Sequence, residues 1–409
     1  RQVEKNKPKP ILTSMRKLMF LLLLVGLLPY ANAQQKVEKK GFMEDKTLFE
    51  ELTNMKKKTD KFNLFLNMQG SFDLNFRDGL DNGSFKMRQL RIEAKGQITP
   101  WLSYRYRQRL NRSNDGSGMM DNVPTSIDYA MIGVKPIEDL TFNIGKQCAA
   151  YGGIEFDLNP IEIYEYSDMI DNMSNFMTGL NTIYDLTPTQ QLQLQILNSR
   201  NGSMESTYGV SPDIRPSKLP LVYTLNWNGS FSDVFKTRWS ASAMSEAKDK
   251  WLYYLAFGNE LTLDKFNMFV DVMYSSEDID REGVITSIVP KDMLGNEETG
   301  YHHAFDTRYL SLVAKLNYRF LPKWNVFVKG MYETASVAKA NEGIEKGKYR
   351  TSWGYLAGIE YYPMKTNLHF FLTYVGRSYD FTNKAEAFGS SNYNTNRLSL
   401  GFIYQLPVF

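Results

Sequence analysis

From Phe62 onward the chain alternates apolar and polar residues with period two, in segments of about ten residues. Leu398, Leu400, Phe402, Tyr404 and Leu406 alternate with Arg397, Ser399, Gly401, Ile403 and Gln405. Leu310, Leu312, Ala314, Leu316 and Tyr318 alternate with Ser311, Val313, Lys315, Asn317 and Arg319, and Leu368, Phe370, Leu372 and Tyr374 with His369, Phe371 and Thr373. Side chains of a strand point alternately to its two faces, so each segment reads as a strand with one apolar and one mostly polar face. About ten residues is also the length of a tilted strand that crosses a bilayer.

Such strands would also suit a soluble β-sandwich, and the connections decide between the two. Seven tight turns are centred near Pro100, Glu138, Pro188, Asp233, Asp264, Pro322 and Lys365. Between them run long polar segments rich in Gly, Ser, Asn and Asp, among them 113–124, 149–175, 199–218, 276–304 and 335–349. Short turns on one side and long loops on the other are the mark of an outer-membrane barrel. Seven short turns and two ends on the same side give sixteen strands, expected near residues 62–76, 86–99, 101–112, 125–135, 140–148, 176–186, 189–198, 219–229, 234–245, 251–263, 265–275, 305–320, 323–334, 350–362, 366–377 and 393–406. The expected fold is therefore an all-β, transmembrane antiparallel barrel over residues 62–409, wide enough to hold water. The 25 Tyr, 25 Phe and 6 Trp supply the aromatic rims that such a barrel places at the lipid interfaces.

Spanning helices are excluded. Mean hydropathy is -0.40, and the one long apolar run, Leu18–Leu28, falls short of the roughly 20 residues that a helix needs to cross. That run follows Met15, Arg16 and Lys17 and precedes Pro29-Tyr30-Ala31-Asn32-Ala33, the three parts of an export signal in order, so residues 1–33 read as a leader, starting at Met15, cleaved before Gln34. Its removal takes away six bases and one acid, which changes the formal charge from +3 to -2. The basic balance thus belongs to the leader, and a nucleic-acid partner loses its support. Between leader and barrel, residues 34–61 form a short periplasmic segment in which Leu48, Phe49, Leu52 and Met55 have helical spacing within 44–58. Cys148 is alone, and His302, His303 and His369 lack metal-ligand spacing, so neither a metal nor another cofactor is expected. No Ser-His-acid set is legible, which disfavours a barrel hydrolase, and residues 34–61 are too few to plug a gated transporter. Partners expected are outer-membrane lipid and the barrel assembly machinery, which would read the last strand and its final aromatic, Phe409.

Charge then singles out one wall. Arg91, Glu93 and Lys95 lie opposite Leu90, Ile92 and Ala94, while Arg105, Arg107 and Arg109 lie opposite Tyr104, Tyr106 and Leu110. A turn near Pro100 pairs Arg91 with Arg109, Glu93 with Arg107 and Lys95 with Arg105. Charges do not face lipid cheaply, so this row belongs to the lumen. Lys236, Arg238, Lys315, Arg319, Lys329, Arg377 and Arg397 share its phase, giving twelve bases against the acids Glu93, Asp128, Glu260, Asp271, Glu333 and Glu360. Such a wall either draws anions or serves only to keep the pore wet.

The segment Asn143-Ile144-Gly145-Lys146-Gln147-Cys148-Ala149-Ala150-Tyr151-Gly152-Gly153-Ile154-Glu155 resembles the phosphate-selective porin O and P family in a form like that of Bacteroidetes outer membranes. The resemblance implies a sixteen-stranded homotrimeric porin of a Gram-negative outer membrane. It also implies a third loop, 149–175, folded into the barrel from Tyr151, Gly152 and Gly153, and a basic ladder matched by Arg105, Arg107 and Arg109. One departure stands out: the loop carries Glu155, Asp157, Glu162, Glu165, Asp168 and Asp171 and no base. Either these acids face the lumen and oppose an anion, or they face the wall and pair with the ladder. A general or cation-tolerant diffusion porin is the alternative reading.

Overall fold

In the computed structural model the two faces of the alternating segments become the two faces of a cylinder. Residues 48–409 are described, apart from 54, 58, 210–213, 295–302, 342 and 365–366, so the leader and the rest of the chain before Leu48 lie outside the described residues. Among the described residues are sixteen strands: β1 (Asn63–Phe76), β2 (Leu80–Thr99), β3 (Leu102–Arg109), β4 (Ile127–Ile137), β5 (Leu140–Cys148), β6 (Phe176–Thr187), β7 (Gln190–Asn198), β8 (Leu221–Phe231), β9 (Phe235–Ala247), β10 (Lys250–Thr262), β11 (Phe266–Ile279), β12 (Phe305–Leu321), β13 (Trp324–Val337), β14 (Gly347–Tyr361), β15 (Leu368–Phe381) and β16 (Tyr393–Pro407). Each pairs antiparallel with its sequence neighbours, and β1 pairs with both β2 and β16, which closes the barrel. Closure leaves no strand edge with unpaired amides, the condition for crossing hydrocarbon.

The burial pattern is that of a soluble protein turned inside out. Leu225, Phe257, Val328, Phe370, Leu372 and Leu400 are exposed on the outside, whereas Asn67, Asp73, Arg91, Asp128 and Asp271 are buried within. Toward the short-turn rim, Trp227 packs edge-on against Trp239 at 5.2 Å and Trp239 against Phe257 at 5.5 Å, an aromatic girdle. Ser232 and Asp233, both at φ 54, form the tight hairpin between β8 and β9, whose left-handed residues match the twist of the strands.

Two expectations are corrected. β2 begins at Leu80, six residues before the expected 86, and pairs with β1 as far as Phe76. Its polar start, Asp81 to Ser84, reads as a loop because this hairpin runs on past the apolar band, yet Asn82, Gly83 and Ser84 pair with Asn75, Leu74 and Asp73 of β1, with a bulge at Asp81. The helix expected over 44–58 is described only as α1 (Leu48–Thr53). After it the Met55 amide donates to Thr53 Oγ1 at 3.3 Å and the Lys57 amide to Glu50 Oε1 at 2.8 Å, side-chain acceptors that draw the backbone out of the helix.

Candidate functional site

β2 and β3 pair Arg91 with Arg109, Glu93 with Arg107 and Lys95 with Arg105, the register that the sequence predicts. Same-face residues of a strand are about 7 Å apart, so Arg105, Arg107 and Arg109 form a staircase along the pore. Two buried acids hold it. Glu93 accepts from Arg105 Nε at 2.9 Å and lies 3.8 Å from Lys95. Asp128 on β4 accepts from Arg107 Nε at 3.0 Å and Arg109 Nε at 2.8 Å, and Arg91 is 3.3 Å away. Five bases thus meet two acids. Aromatic rings set the guanidinium planes: Arg105 lies 3.8 Å from the Tyr129 ring centroid, Arg107 4.8 Å from the same ring, and Arg109 5.7 Å from Phe176. Arg91 and Arg107 are buried. Lys95, Arg105 and Arg109 keep 44%, 31% and 20% of their side chains exposed and present the charge to the lumen.

Opposite this wall runs segment 149–175, which includes α2 (Ile154–Asp157), a 3-10 turn at Pro160–Glu162 and α3 (Asp168–Asn172). Gly152 and Gly153, both at φ 79, turn the chain inward where no other residue fits: a Cβ on Gly152 would sit 2.5 Å from Ser240 Oγ. Ser240 donates to the Tyr151 carbonyl, and Ala150 N donates to Gln195 Oε1 at 2.7 Å. Removal from water pushes the Tyr151 hydroxyl well above its usual range. The next two amides, of Ile154 and Glu155, donate to the Asp271 carboxylate at 2.7 and 2.8 Å. Further on, Tyr164 stacks on Phe327 at 5.0 Å and donates to Glu360 at 2.6 Å, while the Asp168 and Met169 amides donate to Glu333 at 2.8 and 3.1 Å.

The loop acids divide between the first expected alternative and a third arrangement. Asp157 and Asp171 face the ladder across the lumen, while Glu155, Glu165 and Asp168 meet bases on the other walls, against which the loop rests. Glu155 pairs with Lys329, Glu165 with Arg397 at 2.9 Å, and Asp168 with Arg377 at 2.6 Å and also with Arg350. Asp157 lies 3.3 Å from Arg238 but stays 59% exposed. Among the described residues Glu162 and Asp171 make no ion pair, and they are raised above the ordinary carboxylate range by partial withdrawal from water, Asp171 further by Glu165 and Asp168.

Of the seven other bases in lumen phase, Lys329, Arg377 and Arg397 therefore anchor the loop and Arg238 meets Asp157. Lys315 lies over Phe327 at 4.8 Å and Arg319 over Tyr362 at 4.4 Å, while Lys236 is 3.9 Å from Glu260. Sequence reasoning missed Arg350, because the loop contact that uses it is not a local pattern, and missed Arg112 and the stacking rings Tyr129 and Phe176. Tyr129 did leave a signal: it is aromatic at a strand position beside the row of arginines.

Among the described residues, two linked cavities open beside the ladder. One, about 660 Å³, lies toward the long loops between the ladder and segment 156–175; its charged lining is Arg91, Lys95, Arg105, Arg107, Arg109 and Arg112 against Glu93, Asp157 and Asp171. The other, about 610 Å³, reaches the short turns at Pro188 and Ser230. Arg105, Tyr129, Cys148, Asp157 and Leu158 line both, so the passage runs between the lowest ladder arginine and the loop.

A closed sixteen-stranded barrel with an apolar outside and a charged, water-accessible inside defines an outer-membrane channel. The match of the phosphate-selective porin O and P family to residues 62–406 covers most of the chain, which belongs to that family and hence to the outer membrane. Among solved structures, the outer-membrane channel DcaP of Acinetobacter baumannii is similar at 11% identity and TM-score 0.57, over 84% of this chain and 96% of that one. Salmonella typhi OmpF, in complex with daunomycin, is similar at 15% identity and TM-score 0.52, over 85% and 98%. An anion-selective porin from Comamonas acidovorans is similar at 8% identity and TM-score 0.51, over 84% and 99%. At these identities the likeness concerns the fold. No curated protein sequence matches the chain.

Proposed function

We propose that this porin passes small solutes by diffusion and prefers anions, phosphate among them, with segment 149–175 as its constriction. The carrying observation is that Arg105, Lys95 and Arg109 face open lumen while the loop acids Glu155, Glu165 and Asp168 are neutralised on other walls. Charges within a Debye length, about 8 Å at physiological salt, still act on an ion at the pore axis. Guanidinium edges about 7 Å apart offer phosphate successive partners of similar strength, which lets it bind and also leave. Exposed Asp157 and Asp171 favour the alternative, a general or cation-tolerant porin. The family speaks for transport rather than catalysis. We further propose export by residues 1–33, insertion among lipid by the barrel assembly machinery acting on β16, and a homotrimer.

The deciding measurement is reversal potential across a salt gradient in planar bilayers. Wild type should prefer anions, and replacing Arg105, Arg107 and Arg109 together with Gln should lower the anion-to-cation permeability ratio and abolish block of chloride current by phosphate. A cation-preferring wild type, or an unchanged potential in the triple variant, would return the ladder to a wetting role.

A further inference from the structure

The two linked cavities differ in chemistry, and the difference narrows the class of solute. The ladder cavity holds six bases against three acids. The cavity toward the short turns is balanced, with Arg105, Lys236 and Arg238 against Asp157, Asp185 and Glu260. Its wall is instead built of carboxamides: Asn143 and Gln147 from β5, Asn181 from β6, Gln191 and Gln193 from β7, and Asn228 from β8.

These amides hold one another in place. Arg238 Nη1 donates to Asn228 Oδ1 at 3.2 Å, and Asn228 Nδ2 donates to Gln191 Oε1 at 3.1 Å. Gln193 Nε2 also donates to Gln191 Oε1, at 2.8 Å, and Asn181 Nδ2 donates to Gln193 Oε1 at 3.1 Å, while Gln191 Nε2 donates to Asp185 at 2.8 Å. The chain ends on Asn181 Oδ1, which is buried with no partner. A carboxamide has two N–H donors and an oxygen with two lone pairs, so each linked amide keeps further donors and acceptors. A wall that offers both at fixed positions is complementary to hydroxyl groups, which donate and accept at once. A bare anion such as chloride only accepts, and so can use the donors of this wall but none of its acceptors.

We propose that the solute for which this pore is built is a polyhydroxylated phosphate ester, of the sugar phosphate class. Its phosphate rests on Arg105 at the junction of the two cavities, and its hydroxyls engage Asn181, Gln191, Gln193 and Asn228. The assignment rests on the anion preference proposed above and adds the neutral half of the ligand to it.

The test is block of chloride current through the purified porin in planar bilayers by four probes: inorganic phosphate, cyclohexyl phosphate, glucose 6-phosphate and glucose. Cyclohexyl phosphate carries a ring and a phosphate but no ring hydroxyls. Glucose 6-phosphate should block at a concentration at least tenfold lower than inorganic or cyclohexyl phosphate. In the Asn181→Ala, Gln193→Ala double variant that advantage should vanish while block by inorganic phosphate is kept. Equal block by glucose 6-phosphate and cyclohexyl phosphate overturns the proposal and leaves the anion preference standing, and so does a double variant that loses both blocks alike. Equal block by glucose overturns it in favour of a neutral sugar site, and absence of any block sinks the anion reading with it. The comparison among probes on wild type decides the matter even where the double variant does not assemble.

Discussion

Asp271→Asn should loosen the inward loop without harming the barrel. Asp271 is buried on the inner face of β11, and its two oxygens accept the consecutive amides of Ile154 and Glu155. Asparagine keeps one acceptor and turns an NH2 toward the other amide, so one charge-assisted hydrogen bond is lost and a buried N–H is left unsatisfied. Such a bond contributes about 1.5–3 kcal/mol. At 1.4 kcal/mol per tenfold, a loss of about 2 kcal/mol raises the ratio of unseated to seated loop neck by a factor of about 30. Downstream anchors on Glu333 and Arg377 are untouched, so the change is local opening rather than unfolding. Single-channel recording at fixed voltage reads it: the variant should spend about 30 times more time than wild type in brief steps of higher conductance. A record in which those steps are no more frequent, with the same mean conductance, would refute the view that these two amides hold the constriction in place.

Three further outcomes are expected. A Cβ on Gly258 of β10 would lie 2.7 Å from Gly153 Cα and from Ile154 N, so Gly258→Val should displace the loop and raise conductance; Gly330→Ala, whose Cβ meets nothing within 4 Å, should leave it unchanged, and equal conductance in both variants counts against the close packing. Glu162 and Asp171 are raised carboxyls, so as pH falls each gains its proton, and loses its negative charge, earlier than an ordinary carboxyl. Anion preference should therefore rise as pH falls toward the usual carboxylate range, and a reversal potential moving the other way contradicts the placement of these acids in the lumen. Intact mass of protein extracted from outer membranes should start at Gln34, and a mass that retains residues 15–33 rejects the leader.

Strand number and the ladder register were legible because a barrel wall is a local code. Each strand carries its own two faces, each short turn fixes the next register, and both are read from neighbours in sequence. The seat of the loop is not local: Glu155 meets Lys329 and Asp168 meets Arg377 across more than 170 and 200 residues of chain. One signal was nevertheless present. Val313, Phe371 and Ile403 interrupt the polar face of β12, β15 and β16, and in the structure they belong to the same apolar cluster as loop residues Tyr164, Met169 and Ile170. Apolar residues on a lumen face mark where something other than water covers the wall.

That cluster also explains why a sum over lumen charges misjudges the field in the pore. Twelve bases against six acids on the expected wall, with six more acids on the loop, amount to no excess at all. The loop, however, is drawn to β10–β15 by burial of Ile154, Tyr164, Met169 and Ile170 against Tyr254, Phe269, Phe327 and Phe371, a non-directional attraction of about 1.5–3 kcal/mol for each fully buried side chain. Once seated there its carboxylates meet Lys329, Arg350, Arg377 and Arg397, and both partners leave the water-filled part of the lumen. The five ladder bases, Arg91, Lys95, Arg105, Arg107 and Arg109, meet only Glu93 and Asp128, so three of the five remain uncompensated. Apolar packing thus sorts the charges, and the electrostatic character of the passage follows from which wall the loop covers rather than from the composition of either.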